Sequence, residues 1–264
     1  MRSPGHILIT GASSGIGAAL ARHYARGGVR LSLGGRDPVR LAAVDNSCRA
    51  QGADVSSAAL DVRDRTAMEA WVRAADAQAP LDLVIANAGI SGGTAGTASG
   101  GGGETRAQFD VIAAVNVEGV VNTVTPALEA MSARGRGQVA LISSLASFRG
   151  FPGAPAYCAS KAMIRVWGEA LRPDYAARGI SVNVVCPGYV ESPMTAANDF
   201  PMPFMMPAAD AARRIAEGLA RDRARIVFPR RLYWLLRAVA ALPEPLLDRL
   251  MARLPRKPPR AQVG

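Results

Sequence analysis

A glycine-rich turn directly follows the first strand-like run of the sequence and opens the first helix-like run. It reads TGASSGIG and spans residues 10–17. Glycine lets the backbone turn tightly and approach a pyrophosphate, while free N–H groups and the dipole of the following helix attract the anion. The spacing is GxxxGxG, which shares this mechanism with the GxGxxG dinucleotide fingerprint but differs from it in spacing. The turn predicts a βα unit that binds a dinucleotide; the alternative is a glycine-rich turn that binds nothing.

Short β-rich runs alternate with longer helical stretches over the first two-thirds of the chain. The runs are HILIT, VRLSLGG, LDLVIANAG, QVALISS and SVNVVCPG. Such alternation is typical of βαβ units, whose parallel strands are covered by helices. The sequence therefore predicts an α/β fold, a Rossmann-like doubly wound parallel sheet with helices on both faces.

No interdomain linker is evident, so we predict a single domain over residues 1–230, followed by a basic amphipathic C-terminal extension over residues 231–264. The one low-complexity segment, SGGTAGTASGGGG at residues 91–103, is predicted to be a mobile surface loop.

Cysteine and charge usage exclude several classes of protein. The three cysteines are odd in number and lack CxxC spacing, which argues against a disulfide framework and against a metal site. No leader pattern and no apolar run of spanning length is evident, so we expect a cytoplasmic protein. The formal charge is +10, but residues 221–260 hold eleven basic and only three acidic residues. The positive charge thus belongs to the tail, and a nucleic-acid-binding surface is not expected.

The second predicted strand ends near Gly35, where the next side chain selects between two cofactors. An acidic residue there binds the adenosine ribose of NAD, whereas a basic one accepts the additional phosphate of NADP. Arg36 stands at this place and Asp37 follows it. We favour NADP, although a shift of one position would favour NAD; Arg36 as a solvated charge at a helix start is the other interpretation.

Tyr157 and Lys161 form a YxxxK pair, whose spacing places both side chains on one face of a helix. An adjacent ammonium favours the phenolate, so the pair predicts a tyrosine of lowered pKa that acts as a general acid or base. Alone, the pair is more typical of an exposed helix face. However, Lys161 is the only lysine among the first 256 residues, and an ISS strand end places Ser144 thirteen residues before Tyr157.

These motifs together resemble the short-chain dehydrogenase/reductase family over roughly residues 6–193. In order, the chain shows TGASSGIG at 10–17, LDV at 60–62, ANAG at 86–89, VNVEG at 115–119, ISS at 142–144, YCASK at 157–161 and PGYVES at 187–192. The resemblance implies that Ser144 polarises a substrate carbonyl and that Tyr157 transfers the proton. It also implies that Lys161 binds the nicotinamide ribose and depresses the tyrosine pKa, while Asn116 holds a water of a proton relay.

The resemblance further implies a binding site for the whole dinucleotide, and Arg36 favours NADP(H) over NAD(H) as its occupant. The chain has ANAG where the family commonly has NNAG, and Ser192 where it more often has threonine. Asp61 and Val62 would contact the adenine, and the hydroxyl of Ser192 would bond the carboxamide. The complete set of expected cofactor-binding residues is Gly11, Ser13, Ser14, Gly15, Ile16, Gly17, Arg36, Asp61, Val62, Asn87, Ala88, Gly89, Tyr157, Lys161, Pro187, Gly188, Val190 and Ser192.

The segment after the PG turn, at about residues 189–207, covers the substrate in this family. It is rich in uncharged Met and Phe, namely Met194, Phe200, Met202, Phe204, Met205 and Met206. Such side chains suit an adaptable apolar pocket, which predicts a lipophilic small-molecule substrate. The other interpretation is a loop buried against the domain or a partner.

Residues 232–254 form two short amphipathic stretches broken at Pro243 and Pro245. We favour packing of these stretches against the core or a partner subunit. The alternative is peripheral contact with an anionic surface such as the inner face of a membrane. Family members commonly form dimers or tetramers, so the resemblance implies a homo-oligomer.

The motifs taken together predict an oxidoreductase that transfers hydride reversibly between NADP(H) and a carbonyl/alcohol pair, without a metal. Two alternatives stand beside this prediction. One is an NAD-dependent alcohol dehydrogenase of the same family. The other is a non-catalytic dinucleotide-binding regulator, which would not need Ser144, Tyr157 and Lys161.

Overall fold

The computed structural model describes residues 4–92, 104–198 and 200–252. Within these ranges seven parallel strands form one sheet in the order β3-β2-β1-β4-β5-β6-β7. This confirms the predicted doubly wound α/β fold. The strands are β1 (His6–Thr10), β2 (Arg30–Gly35), β3 (Asp54–Ala59), β4 (Leu83–Ala86), β5 (Gly137–Ile142), β6 (Ile180–Pro187) and β7 (Arg225–Phe228).

Helices cover both faces of the sheet because successive strand residues point to opposite sides. Ile7 and Ile9 of β1 belong to the apolar core of one face, whereas Leu8 belongs to the core of the other. The helices are α1 (Gly15–Tyr24), α2 (Pro38–Arg49), α3 (Arg65–Gln78), α4 (Arg106–Ala113), α5 (Gly119–Arg134), α6 (Pro155–Ala176), α7 (Pro193–Ala196), α8 (Ala208–Ala220), α9 (Arg230–Ala240) and α10 (Glu244–Ala252).

Side-chain caps start several of these helices where the sequence changes from loop to helix. Asp37 caps α2 by accepting from the Arg40 N–H, and Pro38 occupies the first turn, where its missing N–H costs nothing. Thr105 and Gln108 form a reciprocal capping box at the start of α4. These caps fix the points at which the chain leaves the sheet.

The stretch Arg106–Arg134 combines α4, one π-helical turn and α5. By length and hydropathy it could cross a membrane, although the sequence shows no uninterrupted apolar run of that length. Its apolar side chains, such as Val120 and Met131, are buried in the core that covers one face of the sheet. It is therefore accounted for as a core helix of the domain.

The order of strands places a topological switch between β1 and β4. From β1 the chain builds outward through β2 to β3 and then crosses back to β4 on the other side. Loops that leave the carboxyl ends of β1 and β4 therefore diverge and open a crevice, where ligands bind in folds of this kind. Most of the low-complexity loop predicted at 91–103, and the end of the C-terminal extension, lie outside the described residues.

Candidate active site

The glycine-rich turn occupies the crevice at the carboxyl end of β1. Gly11 and Gly15 have φ values of 65° and 52°, which side chains rarely tolerate. A Cβ on Gly17 would stand 2.3 Å from the Gly11 carbonyl oxygen, so only glycine permits this close approach. Gly15 and Ile16 form the first turn of α1, and the preceding Ser14 makes no side-chain capping bond. The bare turn and the helix N-terminus fit a dinucleotide pyrophosphate.

Asn87 fastens this turn to the end of β4. Its side-chain amide donates to the carbonyl oxygens of Thr10 and Gly11 at 3.0 and 3.2 Å. In return, the Thr10 hydroxyl accepts from the backbone N–H groups of Asn87 and Ala88 at 3.1 and 3.2 Å. The predicted wall of residues 87–89 is thus rigidly joined to the phosphate-binding turn.

The carboxyl ends of β2 and β3 form the part of the site expected to hold the adenosine. Ser13 lies beside Gly35, since a Cβ on that glycine would stand 3.2 Å from the Ser13 Cβ. Arg36 is exposed directly after β2. Asp37 is engaged elsewhere, because one oxygen accepts from the Arg40 N–H and the other from the Arg40 guanidinium at 2.6 Å.

Asp61 and Val62 follow β3 at the same edge of the sheet. The Asp61 carboxylate is ion-paired with Arg63 at 2.7 Å, and this partner lowers the carboxyl pKa. Val62 is buried against Gly119, where a Cβ would stand 2.5 Å from the valine Cγ2. The ion pair with Arg63 therefore holds the Asp61 carboxylate in place. The contact between Asp61 and adenine stays a prediction.

Ser144, Tyr157 and Lys161 meet at the carboxyl end of β5. Ser144 follows the strand and begins a 3-10 turn, Leu145–Ser147, whose Ala146 N–H donates to the serine Oγ at 3.1 Å. Tyr157 and Lys161 both lie on α6, as their spacing predicts, and the lysine Nζ is 5.9 Å from the tyrosine ring centroid. The Ser144 hydroxyl hydrogen-bonds the tyrosine side chain. These three side chains form one cluster.

Lys161 is buried, with only 4% of its surface exposed, and its charge is oriented by the backbone. Its Nζ donates to the Ile142 carbonyl oxygen at 2.9 Å, and its own carbonyl accepts from the Ser143 hydroxyl at 2.7 Å. Burial lowers the lysine pKa to about 8. A Cβ on Gly89 would stand 3.1 Å from the Nζ, so this glycine keeps the room that the ammonium occupies.

The lowered tyrosine pKa expected from the sequence is wrong for this structure. Burial raises the pKa of Tyr157 to about 12, and the hydrogen bond with Ser144 offsets only part of that rise. The desolvation of the phenolate outweighs its neighbours because Lys161 directs its Nζ at the Ile142 carbonyl. The Tyr157 phenol is therefore neutral over the ordinary pH range.

Asn116 lies in the π-helical turn Ala114–Glu118, a rare geometry that often marks functional sites. Its side-chain oxygen accepts from the Ile90 N–H at 2.8 Å, and its amide donates to the Ile90 carbonyl at 2.9 Å and to the Ser160 hydroxyl at 3.0 Å. Ser160 in turn donates to the Tyr157 carbonyl at 2.8 Å. Asn116 thereby ties the backbone after Gly89 to the helix that carries Tyr157.

The expected nicotinamide wall follows β6. A Cβ on Gly188 would stand 2.9 Å from Pro229, so the backbone after Pro187 approaches this proline closely. Val190 is buried and forms an isolated parallel bridge with Met206, which closes the segment between them into a loop. Ser192 caps α7, because its Oγ accepts from the Thr195 N–H at 3.2 Å. It also faces the glycine-rich turn, with its Cβ 3.0 Å from a Cβ placed on Gly15.

The segment expected to contact the substrate is rich in apolar side chains and follows this wall in the chain. Tyr189 packs edge-on against Phe200, with ring centroids 6.4 Å apart. Phe204 and Met205 are about half exposed, and Met206 packs against the core. The segment therefore presents apolar side chains both inward and outward.

Glu104 is a site residue that sequence reasoning missed. Its carboxylate accepts from the Ala156 N–H at 2.8 Å, one residue before Tyr157, and burial raises its pKa. The start of α6 has no other side-chain cap, since Ala154 stands at the N-cap position. The acceptor comes from fifty residues upstream in the chain, so no local pattern could reveal it.

Comparison with known proteins gives consistent matches. The sequence model of the short chain dehydrogenase family matches residues 5–200. An uncharacterized oxidoreductase of Myxococcus xanthus is 41% identical, covering 94% of this chain and 96% of its own length. A putative ketoacyl reductase of the granaticin polyketide synthase of Streptomyces violaceoruber is 39% identical, over 71% of this chain and 68% of its own length.

Solved structures share the fold over nearly the whole chain. A short chain dehydrogenase/reductase from Burkholderia phymatum in complex with NAD superposes with a TM-score of 0.81 at 23% identity, covering 99% of this chain and 100% of its own. A short-chain dehydrogenase from Sphingobium yanoikuyae in complex with NADPH gives a TM-score of 0.77 at 24% identity, covering 98% of each chain.

Proposed function

Because this chain belongs to the short-chain dehydrogenase family, and is thus an NAD(P)-dependent oxidoreductase acting on CH–OH or C=O groups, we propose that it transfers hydride between NADP(H) and a lipophilic carbonyl/alcohol pair. The observation that carries the proposal is the cluster of Ser144, Tyr157 and Lys161 at the carboxyl end of β5, which faces the crevice that holds the glycine-rich turn.

We infer the roles of the clustered side chains from their chemistry. When bound, the nicotinamide supplies a hydride to the carbonyl carbon or accepts one from the alcohol carbon. The Ser144 hydroxyl donates to the carbonyl oxygen, which stabilises the negative charge that develops there. Tyr157 gives its phenol proton to that oxygen during reduction, so that an alcohol forms, and takes the proton back during oxidation.

Lys161 and Asn116 assist Tyr157, one through its charge and the other through its hydrogen bonds. The Lys161 ammonium stabilises the phenolate left after proton transfer and would bind the nicotinamide ribose. The Asn116 side chain positions α6 through Ser160, and the family's relay water stays a prediction. Its side-chain amide donates to Ile90 and Ser160, and its Oδ1 accepts one bond from the Ile90 N–H, so a water would use the remaining lone pair of that oxygen or a nearby backbone carbonyl.

The preference for NADP(H) rests on the end of β2. Arg36 is exposed directly after β2, and both carboxylate oxygens of Asp37 already accept from Arg40. A guanidinium is suited to bidentate binding of phosphate, which supports the preference. An NAD-dependent enzyme of the same family is the second candidate, in which a remaining lone pair of the Asp37 carboxylate would accept from the ribose.

The lipophilic substrate is proposed from the segment between Val190 and Met206. Tyr189, just before this segment, packs against Phe200. Positions 200–206 are rich in methionine and phenylalanine and carry no charge, while the charged residues of the segment, Glu191 and Asp199, stand before them. Such apolar side chains favour an adaptable apolar pocket. The granaticin relative is named for a ketoacyl substrate, a ketone on an acyl chain. A ketone flanked by apolar carbon fits both observations.

We further propose that the protein assembles through the flank formed by α4 and α6. Phe109 on α4 and both Met163 and Val166 on α6 are about half exposed, and these helices pack side by side. Apolar side chains on such a flank are typical of a surface between subunits, which favours a homodimer or homotetramer. A cytoplasmic location stays a prediction.

Turnover of a carbonyl panel with NADPH tests the proposal. We expect a long-chain or cyclic ketone to be reduced and a polar sugar to be poor. Tyr157→Phe should lower kcat by about 10²- to 10⁴-fold, because general acid catalysis is lost, while NADPH still binds. Tyr175→Phe, on the same helix, is the matched control and should keep full turnover. Normal activity of Tyr157→Phe would refute the role of Tyr157 as the general acid. A preference for the sugar would refute the lipophilic substrate.

A further inference from the structure

Helix α9 is attached to the domain by one face only. Leu232 is buried beside Leu145 and Cys186, and Leu236 packs partly against the same cluster. Tyr233 stacks edge-on against Phe148, with ring centroids 5.1 Å apart. This anchoring fixes which side of the helix faces outward.

The opposite side, here named the α9 outer face, consists of Arg230, Arg231, Trp234, Leu235 and Arg237. Trp234 is 65% exposed and Leu235 is 56% exposed. Among the large apolar side chains of the described helices, only Val39 of α2 has a greater exposed fraction. Arg230 and Arg231 lie one turn before the two apolar residues, so that guanidinium groups flank the exposed rings and chains. The next helix, α10, is held by its buried Leu247 and exposes Leu246 and Leu250.

The charge of α9 selects among possible occupants. The helix carries three arginines and no acidic residue. A symmetric contact between two copies of this face would bring the arginines of both copies together, which is unfavourable. An anionic surface instead attracts the arginines, whose long stems reach the headgroups while Trp and Leu enter the apolar boundary.

We propose that the α9 outer face docks this enzyme on an anionic phospholipid surface, with α10 adding further apolar contact. The helices lie in the plane of the surface and do not cross it. The sequence that follows α10, residues 253–264, adds four basic residues and no acidic one. Each basic residue near such a surface strengthens attachment.

The docking face is continuous with the active-site rim. Trp234 packs edge-on against Tyr233 at 5.0 Å, Tyr233 packs on Phe148, and Phe148 ends the 3-10 turn that begins after Ser144. Leu232 also lies beside Gly188, at the entrance to the nicotinamide wall. Docking therefore brings the catalytic pocket close to the lipid phase, from which an apolar ketone could enter. Attachment itself does not depend on which substrate is reduced.

Co-sedimentation of the full chain with sucrose-loaded vesicles tests the proposal. The wild type should bind vesicles of equal parts phosphatidylglycerol and phosphatidylcholine, and bind phosphatidylcholine alone far more weakly. The double variant Arg231→Gln/Arg237→Gln should weaken binding roughly 30-fold, since each basic residue contributes a factor of about five. The double variant Trp234→Ala/Leu235→Ala should also lose most of its binding.

Matched controls come from other exposed positions. Arg214→Gln on α8 and Met163→Ala on α6 should bind vesicles as the wild type does. Thermal melting and NADPH binding of every variant show that the fold is kept. The proposal is overturned if the wild type does not sediment with anionic vesicles, or if the control variants lose as much binding as the α9 variants. It is equally overturned if the α9 variants only dissociate a dimer, as sedimentation velocity would show.

Discussion

The Nζ of Lys161 lies 5.9 Å from the ring centroid of Tyr157, and the two residues stand one turn apart on α6. Burial shifts the two pKa values in opposite directions, raising that of Tyr157 to about 12 and lowering that of Lys161 to about 8. At neutral pH the tyrosine is therefore a neutral phenol, and the lysine beside it is an ammonium whose burial costs solvation free energy. This combination keeps a proton available for transfer.

The buried ammonium makes the stability of the enzyme depend on pH. Because the folded pKa of Lys161 lies below its unfolded value, its penalty is fully present below about pH 8 and disappears as the pH rises towards the unfolded pKa. Lys161→Met removes the penalty but leaves the Ile142 carbonyl unpaired. At about pH 7 the wild type carries the full penalty, whereas at about pH 10 it has lost most of it. The difference in free energy of unfolding, variant minus wild type, should therefore fall by about 2 kcal/mol between these two pH values.

Urea unfolding of both proteins at the two pH values measures this change. All other titrating groups are present in both proteins. The difference between their free energies of unfolding therefore reports on Lys161 alone. A difference that stays constant with pH would mean that the ammonium is not desolvated.

Gly89 is expected to be intolerant of a side chain. A Cβ there would stand 3.1 Å from the Lys161 Nζ and 3.3 Å from the Asn116 Oδ1, so Gly89→Ala must displace one of these groups. We expect kcat to fall by about ten-fold or more, because small displacements of catalytic groups are costly. Gly27→Ala, where a Cβ has open space, is the control in steady-state assays. Equal activity of the two variants would show that the position of the ammonium is not critical.

Glu104 is expected to position Tyr157 through the start of α6. Glu104→Ala leaves the Ala156 N–H without its acceptor, and should lower kcat by about ten-fold while the affinity for NADPH stays the same. Glu104→Gln keeps an acceptor oxygen and should restore most of the activity. If the glutamine variant is as impaired as the alanine variant, the carboxylate charge matters more than the hydrogen bond.

Asp37 is expected to be a helix cap and not a ribose ligand. Asp37→Ala removes the bonds to Arg40, so we expect a lower melting temperature with the ratio of NADPH to NADH affinity unchanged. Calorimetric melting and cofactor titration of the variant measure both effects. A selective loss of NADH affinity would instead identify Asp37 as the partner of an unphosphorylated ribose.

The sequence predicts those parts of the fold and site that depend on local patterns. The glycine turn, the apolar runs of β1, β5 and β6, and the Tyr157–Lys161 spacing are all visible in the chain and lie as expected. Strand β3 reads DVSSAA and β7 is only four residues long, so neither carries a strong strand pattern. These edge strands are set by pairing with β2 and β6.

Other features could not be predicted because they arise from distant residues or from the backbone. The partners of Lys161 and Asn116 are carbonyl and amide groups of Ile142 and Ile90, which no side-chain motif indicates. The raised pKa of Tyr157 depends on its burial and not on its neighbour in the YxxxK pair. The amphipathic pattern of α9 left its partner open, and the structure decides only which face packs inward.

Titration of the purified enzyme with NADPH and NADH, repeated on Arg36→Ala, examines both the cofactor site and its selectivity. We expect NADPH to bind more tightly than NADH and the variant to lose this difference, because the proposed contact between the guanidinium and the ribose phosphate is removed. Binding of NADH alone would contradict the cofactor preference, and binding of neither nucleotide by a well-folded preparation would contradict the proposed oxidoreductase.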